Sequence, residues 1–270
     1  MKITFVGGGN MASALIGGLL ARGASASDLC VIELQAEARA RLGSDFGVRT
    51  AAALDEDAAA CDLLVLAVKP QQMREVCAGI AGRMSGQTVL SIAAGLRVAD
   101  LSRWLGGHGR IVRAMPNTPA LIGQGVTGLY ADPALGQAVR DQADQVLRAV
   151  GSTVWVDDEK QIDAVTAVSG SGPAYVFYFI ESMVRGGEAL GLSASQARDL
   201  ALATFTGAAA LAAGSPDSPA TLRERVTSKG GTTEAALESM AADQVSDAIV
   251  RALAAAATRG AELGDRLGRA

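Results

Sequence analysis

Two glycine-bearing stretches could hold an anion. Near the start, Gly7-Gly-Gly-Asn-Met-Ala12 lies between the apolar run Ile3-Thr-Phe-Val6 and a helical pattern in which Met11, Leu15 and Leu19 recur. In that order Gly7 permits a tight turn and Gly9 lets the backbone approach a pyrophosphate. Asn10 and Met11 open the helix with unpaired N–H groups, and small Ala12 lets the helix pack on the strand. Far along the chain, Val226-Thr-Ser-Lys-Gly-Gly-Thr-Thr-Glu-Ala-Ala-Leu237 puts two glycines and a run of hydroxyls before an alanine-rich helical pattern. The N–H groups of Gly230, Gly231 and Thr232 would there cradle an anion without a fixed positive charge.

A third candidate is a carboxylate. Leu29-Cys-Val-Ile32 reads as a second strand and ends at Glu33, where a dinucleotide fold places the acid that accepts hydrogen bonds from the adenosine ribose. A carboxylate there repels a 2′-phosphate and favours NADH over NADPH, although Arg39 and Arg41 follow on a helical pattern and could reach a phosphate. Further strands are expected at 63–68, 89–93, 111–115 and 152–156. The first three are nearly continuous apolar runs, as in a parallel sheet covered on both faces. The turns after them carry Ala67-Val-Lys-Pro70 and Pro116-Asn-Thr-Pro119. Ligands of an open parallel sheet bind beyond the carboxyl ends of its strands, so Ala67, Val68, Lys69, Pro70 and Asn117 are candidate coenzyme contacts.

These elements predict an α/β fold, with a Rossmann-like doubly wound parallel sheet over residues 1–157. From Asp158 onward the period-two signal fades and helices follow one another. Pro173-Ala-Tyr-Val-Phe-Tyr-Phe-Ile180 is apolar on every side and must be buried in its domain or against another subunit. Ser193 and Ser218-Pro219 stand as caps, and helices are expected at 193–213, 232–240 and 245–263. Residues 158–270 are thus expected to form an all-α domain that pairs with its twin, as a homodimer or a larger homo-oligomer.

Bulk composition excludes other classes. A net charge of −4 with interspersed signs offers nothing to nucleic acid or an anionic membrane, so the partner is a small molecule. Cys30, Cys61 and Cys77 have no metal-ligand spacing and suit the core of a cytoplasmic protein. His108, the sole histidine, lies in a glycine-rich turn, so neither a metal site nor a histidine triad is expected. The glycines within 3–21 argue for strand and helix rather than a secretory leader.

GGGNMA at 7–12, AVKP at 67–70, MPNTPA at 115–120, SGSGPAY at 169–175 and VTSKGGTTEAAL at 226–237, in this order, resemble the pyrroline-5-carboxylate reductase family over essentially the whole chain. The resemblance implies reduction of 1-pyrroline-5-carboxylate to proline by NADPH or NADH, with a helical dimerisation domain. It also implies that Thr233 hydrogen-bonds the ring nitrogen, with Ser228 in the same loop, and that Val226 lines the substrate site. Two positions depart from the family pattern. Lys229 stands where many relatives have proline, and Glu33-Leu-Gln35 replaces the Asn or Ser with neighbouring Arg common where NADPH is preferred. A β-hydroxyacid dehydrogenase would need a lysine where Val176 stands.

Overall fold

A computed structural model describes residues 1–269 and divides the chain into two units, residues 1–171 with 255–269, and residues 172–254. The first unit opens with β1 (Ile3–Val6) and α1 (Asn10–Ala21), then β2 (Leu29–Ile32), α2 (Ala36–Phe46), β3 (Arg49–Ala51), the one-turn α3 (Glu56–Ala59) and β4 (Leu63–Leu66). Next come α4 (Met73–Ile80), β5 (Thr88–Ser91), α5 (Val98–Trp104), β6 (Ile111–Met115), β7 (Gly125–Ala131), α6 (Gln137–Leu147), β8 (Gly151–Trp155) and α7 (Gln161–Val165). The sheet order is β3-β2-β1-β4-β5-β6-β7-β8. All four residues of β1, β2, β4 and β5 are buried, because crossover helices cover both faces of the sheet.

Two features depart from the expected sheet. It is mixed: β7 runs antiparallel to β6, pairing Arg113 with Tyr130 and Met115 with Gly128. It also gains the short edge strand β3. Gly125 and Gly128 weaken the strand signal of β7 in the sequence, yet both are sterically required. A Cβ on Gly125 would lie 2.9 Å from Ala120 Cα, and one on Gly128 would lie 2.4 Å from Val165 Cγ1. Asp132 caps a short turn at Pro133–Leu135, and α6 begins after it.

The units divide elsewhere than the expected boundary at 157/158. After β8 the chain packs back on the sheet through α7 and a π-helical turn, Thr166–Gly170, whose closing bond runs from Ser171 N–H to the Thr166 carbonyl (2.8 Å). The second unit holds α8 (Gly172–Ala189), α9 (Ala194–Gly214), α10 (Pro219–Arg225), α11 (Thr232–Ala242) and the first part of α12 (Val245–Arg269). The caps fall where the sequence puts them. Ser193 forms a reciprocal capping box with Gln196, and Ser218 accepts from Thr221 N–H ahead of Pro219.

The last turns of α12 fold with the first unit. A Cβ on Gly264 would fall 2.6 Å from the Gly95 carbonyl oxygen and one on Gly268 would fall 2.4 Å from Asp100 Oδ2, so glycine permits the close approach. Arg97 pairs with Asp265 at 2.6 Å, and Arg103 Nη2 donates to the Gly268 carbonyl at 2.5 Å.

Candidate active site

The first glycine loop joins β1 to α1. Gly7 has φ +103°, and a Cβ there would lie 2.8 Å from the Ala67 carbonyl oxygen. Its N–H donates to the Ile32 carbonyl at 2.8 Å, which pins the loop over β2. Gly9 differs. It caps α1 with φ −72°, and a Cβ on it would meet no protein atom within 4 Å. No side chain caps this helix, so the first-turn N–H groups of Asn10 and Met11 point out at an open approach, while Ala12 is buried beneath. A dinucleotide pyrophosphate fits such a cradle, because Gly9 leaves space for it and the helix end supplies donors.

Glu33 follows β2 and bends back to this loop. One carboxylate oxygen accepts from Gly8 N–H and the other from Gln35 N–H, each at 3.0 Å, so the group is held in place with lone pairs to spare. Arg39 turns onto the chain beside it, its Nη1 donating to the carbonyls of Glu33 (2.8 Å) and Leu34 (2.7 Å). Ala67 and Val68 are half-buried, Lys69 is exposed, and Pro70 opens a short turn, all at the carboxyl end of β4.

Asn117 follows β6, two residues past its last. It is 8% exposed, its Nδ2 donates to the Ser169 carbonyl at 3.2 Å, and its Oδ1 accepts from Val126 N–H at 2.9 Å. Its amide clamps backbone at both ends.

The 226–237 loop starts at the exposed Val226 and turns through Gly230, which has φ +72° and so suits glycine. The anion cradle is arranged differently from the one expected. Gly230 N–H donates to Glu234 Oε2 at 2.5 Å and Gly231 N–H to the Ser228 carbonyl at 3.0 Å. In the first turn of α11 the N–H groups of Thr232, Thr233 and Glu234 have no acceptor among the described residues, the first helical bond running from Ala235 N–H to the Gly231 carbonyl. Thr233 is half-buried, while Ser228 and Thr232 are exposed. Glu234 escaped the sequence reading, although a glutamate three residues past the cap is a capping signal.

A second residue missed in the sequence is Arg113, whose side chain is 3% exposed and lies between Glu159 (3.3 Å) and Asp163 (3.4 Å). One charge inside the apolar strand Ile111-Val-Arg-Ala-Met115 was its only signal. His108 does hold a turn, its Nε2 lying 2.9 Å from the Gln87 carbonyl. All three cysteines are free, and burial pushes each thiol up, that of Cys77 to about 12.

The mixed sheet, the glycine loop and the fixed carboxylate after β2 define the first unit as the nucleotide domain of a nicotinamide-dependent oxidoreductase. Residues 2–95 match the family described as NADP oxidoreductase, coenzyme F420-dependent. Residues 159–263 match the one described as pyrroline-5-carboxylate reductase dimerisation. The chain is 48% identical to the pyrroline-5-carboxylate reductase of Pseudomonas aeruginosa over 269 residues, 99% of this chain and 98% of that protein. A solved pyrroline-5-carboxylate reductase from Coxiella burnetii matches with TM-score 0.91 at 39% identity, covering 97% of this chain and 98% of that one. The Plasmodium falciparum enzyme, solved with NADP bound, matches with TM-score 0.85 at 28% identity, covering 98% of each chain. The chain belongs to the pyrroline-5-carboxylate reductase family, NAD(P)-dependent oxidoreductases that catalyse the last step of proline biosynthesis.

Proposed function

We propose that the two glycine stretches divide the work of reducing 1-pyrroline-5-carboxylate to proline. Gly7, Gly9, Asn10, Met11 and Ala12 hold the pyrophosphate of the coenzyme, Glu33 its adenosine ribose, and Ala67, Val68, Lys69 and Pro70 line its approach to the reactive ring. Asn117 serves by shaping the turn after β6 rather than by contact. When bound, the coenzyme supplies a hydride from its nicotinamide ring. Thr232 and Thr233 hold the substrate carboxylate through their free N–H groups, joined by those of Gly230 and Gly231 where the loop releases them. Val226 and Ser228 complete the wall.

The Thr233 hydroxyl orients the ring nitrogen and relays the proton it gains. A protonated imine is already electrophilic, so positioning supplies most of the rate and no covalent nucleophile is required. The observation that carries the substrate assignment is the unpaired first-turn N–H groups at the start of α11, those of Thr232 and Thr233 foremost, set by the left-handed turn at Gly230. Incubating the protein with pyrroline-5-carboxylate and each reduced coenzyme, while following nicotinamide absorbance, tests it. Absence of turnover with both would refute it.

Glu33 favours NADH. Its two oxygens are fixed by backbone donors, and Arg39 is engaged with backbone carbonyls rather than free to neutralise a 2′-phosphate. The helical unit pairs with a second copy, for Phe177, Tyr178, Leu190 and Leu211 are all more than 60% exposed within one chain. α8 and α9 also flank an open groove of about 580 Å³ lined by Phe177, Ile180, Val184 and Leu202. No described helix is long and apolar enough to cross a membrane. We place the protein in the cytoplasm on its three free cysteines, which suit a reducing compartment.

A further inference from the structure

Three residues at alternate positions along β6 and its extended continuation grip the segment that follows the last strand. Arg113 Nη1 donates to Glu159 Oε1 and Nη2 to Asp163 Oδ1, at 3.3 and 3.4 Å. Met115 abuts Gly170 so closely that a Cβ there would lie 2.7 Å from its Cε. Asn117 Nδ2 donates to the Ser169 carbonyl at 3.2 Å. Positions 113, 115 and 117 share a face because strand side chains alternate, so α7 and the π-helical turn are held along their length.

The first of these grips is costly. A guanidinium keeps its charge at any ordinary pH, and Arg113 is 3% exposed with its Nε buried and unpartnered. Buried ion pairs add little stability over apolar residues of similar volume, so packing alone does not account for an arginine here. The network also has a third arm. Glu159 Oε1, which receives Arg113, accepts Val98 N–H at 2.7 Å as well. Val98 is the first residue of α5, directly after the turn that leaves β5. One carboxylate thus ties the end of the turn after β5 to the middle of β6, on the side of the sheet where an open parallel sheet holds its ligand.

We propose that Arg113 is a positioning residue for hydride transfer: through Glu159 and Asp163 it fixes the turn after β5 and the 166–171 segment, and so the bed on which the reactive end of the coenzyme rests. The proposal builds on the family activity and adds a residue that touches neither substrate nor coenzyme.

The test compares full-length wild type with Arg113→Met, Arg113→Lys and Asp163→Asn. It records amide hydrogen exchange at Val98 and Ser169–Ser171, NADH affinity by fluorescence, and steady-state kinetics with NADH and C4-deuterated NADH. For a folded Arg113→Met we expect Val98 exchange to quicken and NADH affinity to stay within about threefold, because the pyrophosphate cradle is untouched. We expect kcat to fall by about 10- to 100-fold with KM little changed, as a small misplacement of reacting atoms requires. The deuterium effect on kcat should rise as hydride transfer becomes slower than product release. Arg113→Lys should recover part of kcat. Should Arg113→Met not fold, Asp163→Asn, which leaves Glu159 in place, is judged by the same criteria. A folded variant with kcat within about twofold of wild type, or with loss matched by its unfolded fraction alone, overturns the proposal. A wild type inactive with pyrroline-5-carboxylate refutes the functional reading instead, and Val98 exchange then decides whether the coupling exists.

Discussion

Gly7 and Gly9 stand two residues apart in one loop, yet alanine should fail at each for an opposite reason. At Gly7 the backbone has φ +103° and a Cβ would sit 2.8 Å from the Ala67 carbonyl oxygen. Left-handed strain and overpacking each cost about 1–3 kcal/mol, so Gly7→Ala should lose roughly 2–6 kcal/mol of stability. At Gly9 φ is −72° and no protein atom lies within 4 Å of the added methyl. Loss of a favourable cap residue and the reduced freedom of the unfolded chain nearly cancel there, leaving stability within about 1 kcal/mol of wild type. What Gly9→Ala does remove is the close approach of backbone to pyrophosphate. Losing one charge-assisted hydrogen bond costs about 1.5–3 kcal/mol, or roughly 10- to 150-fold in coenzyme dissociation constant. Thermal unfolding and NADH fluorescence titration on the same samples separate the two effects. A Gly9→Ala protein that binds NADH as well as wild type, or that melts as early as Gly7→Ala, would refute this account of the loop.

Three further outcomes follow from the geometry. Thr233→Ala should keep the fold and NADH affinity but lower turnover about ten- to a thousandfold, as for a polar group aimed at reacting atoms; unchanged steady-state rates would remove Thr233 from the mechanism. Glu33→Gln removes one negative charge near the 2′ position and should raise the NADPH-to-NADH ratio of kcat/KM by about 10-fold or more; a wild type that already strongly prefers NADPH would contradict the role given to Glu33. The Cys77 thiol, held neutral to about pH 12 by burial against an ordinary value of 9.0, contributes stability that is complete below pH 9. Above that the unfolded chain ionises first, so stability should fall as pH rises from 9 toward 12, and Cys77→Ala should flatten that slope in alkaline denaturation.

How much the sequence disclosed depended on whether one residue or a pattern carried the signal. The central strands and capped helices repeat their message over many positions, which is why β1 and α9 lie where periodicity and Ser193 place them. β7 does not, because Gly125 and Gly128 answer to neighbours distant in sequence. β3 offers only three residues, one of them a charged edge position. At the candidate site, residue types identified the loops but not their internal bonds. That Asn117 spends its amide on Ser169 and Val126, and that Glu234 already holds Gly230 N–H, are facts of three-dimensional closure. Arg113 was hidden for the same reason, since its partners at 159 and 163 lie some distance along the chain.

The return of α12 to the first unit means that the helical segment 172–254 is an insert with both of its ends held by the nucleotide domain. When that insert melts it becomes a closed loop rather than a free tail, and a closed loop has less entropy to gain. A single proteolytic nick within it would release that constraint while sparing every residue of the sheet. The nicked protein should therefore lose its helices at a lower temperature even though no packed contact had been removed.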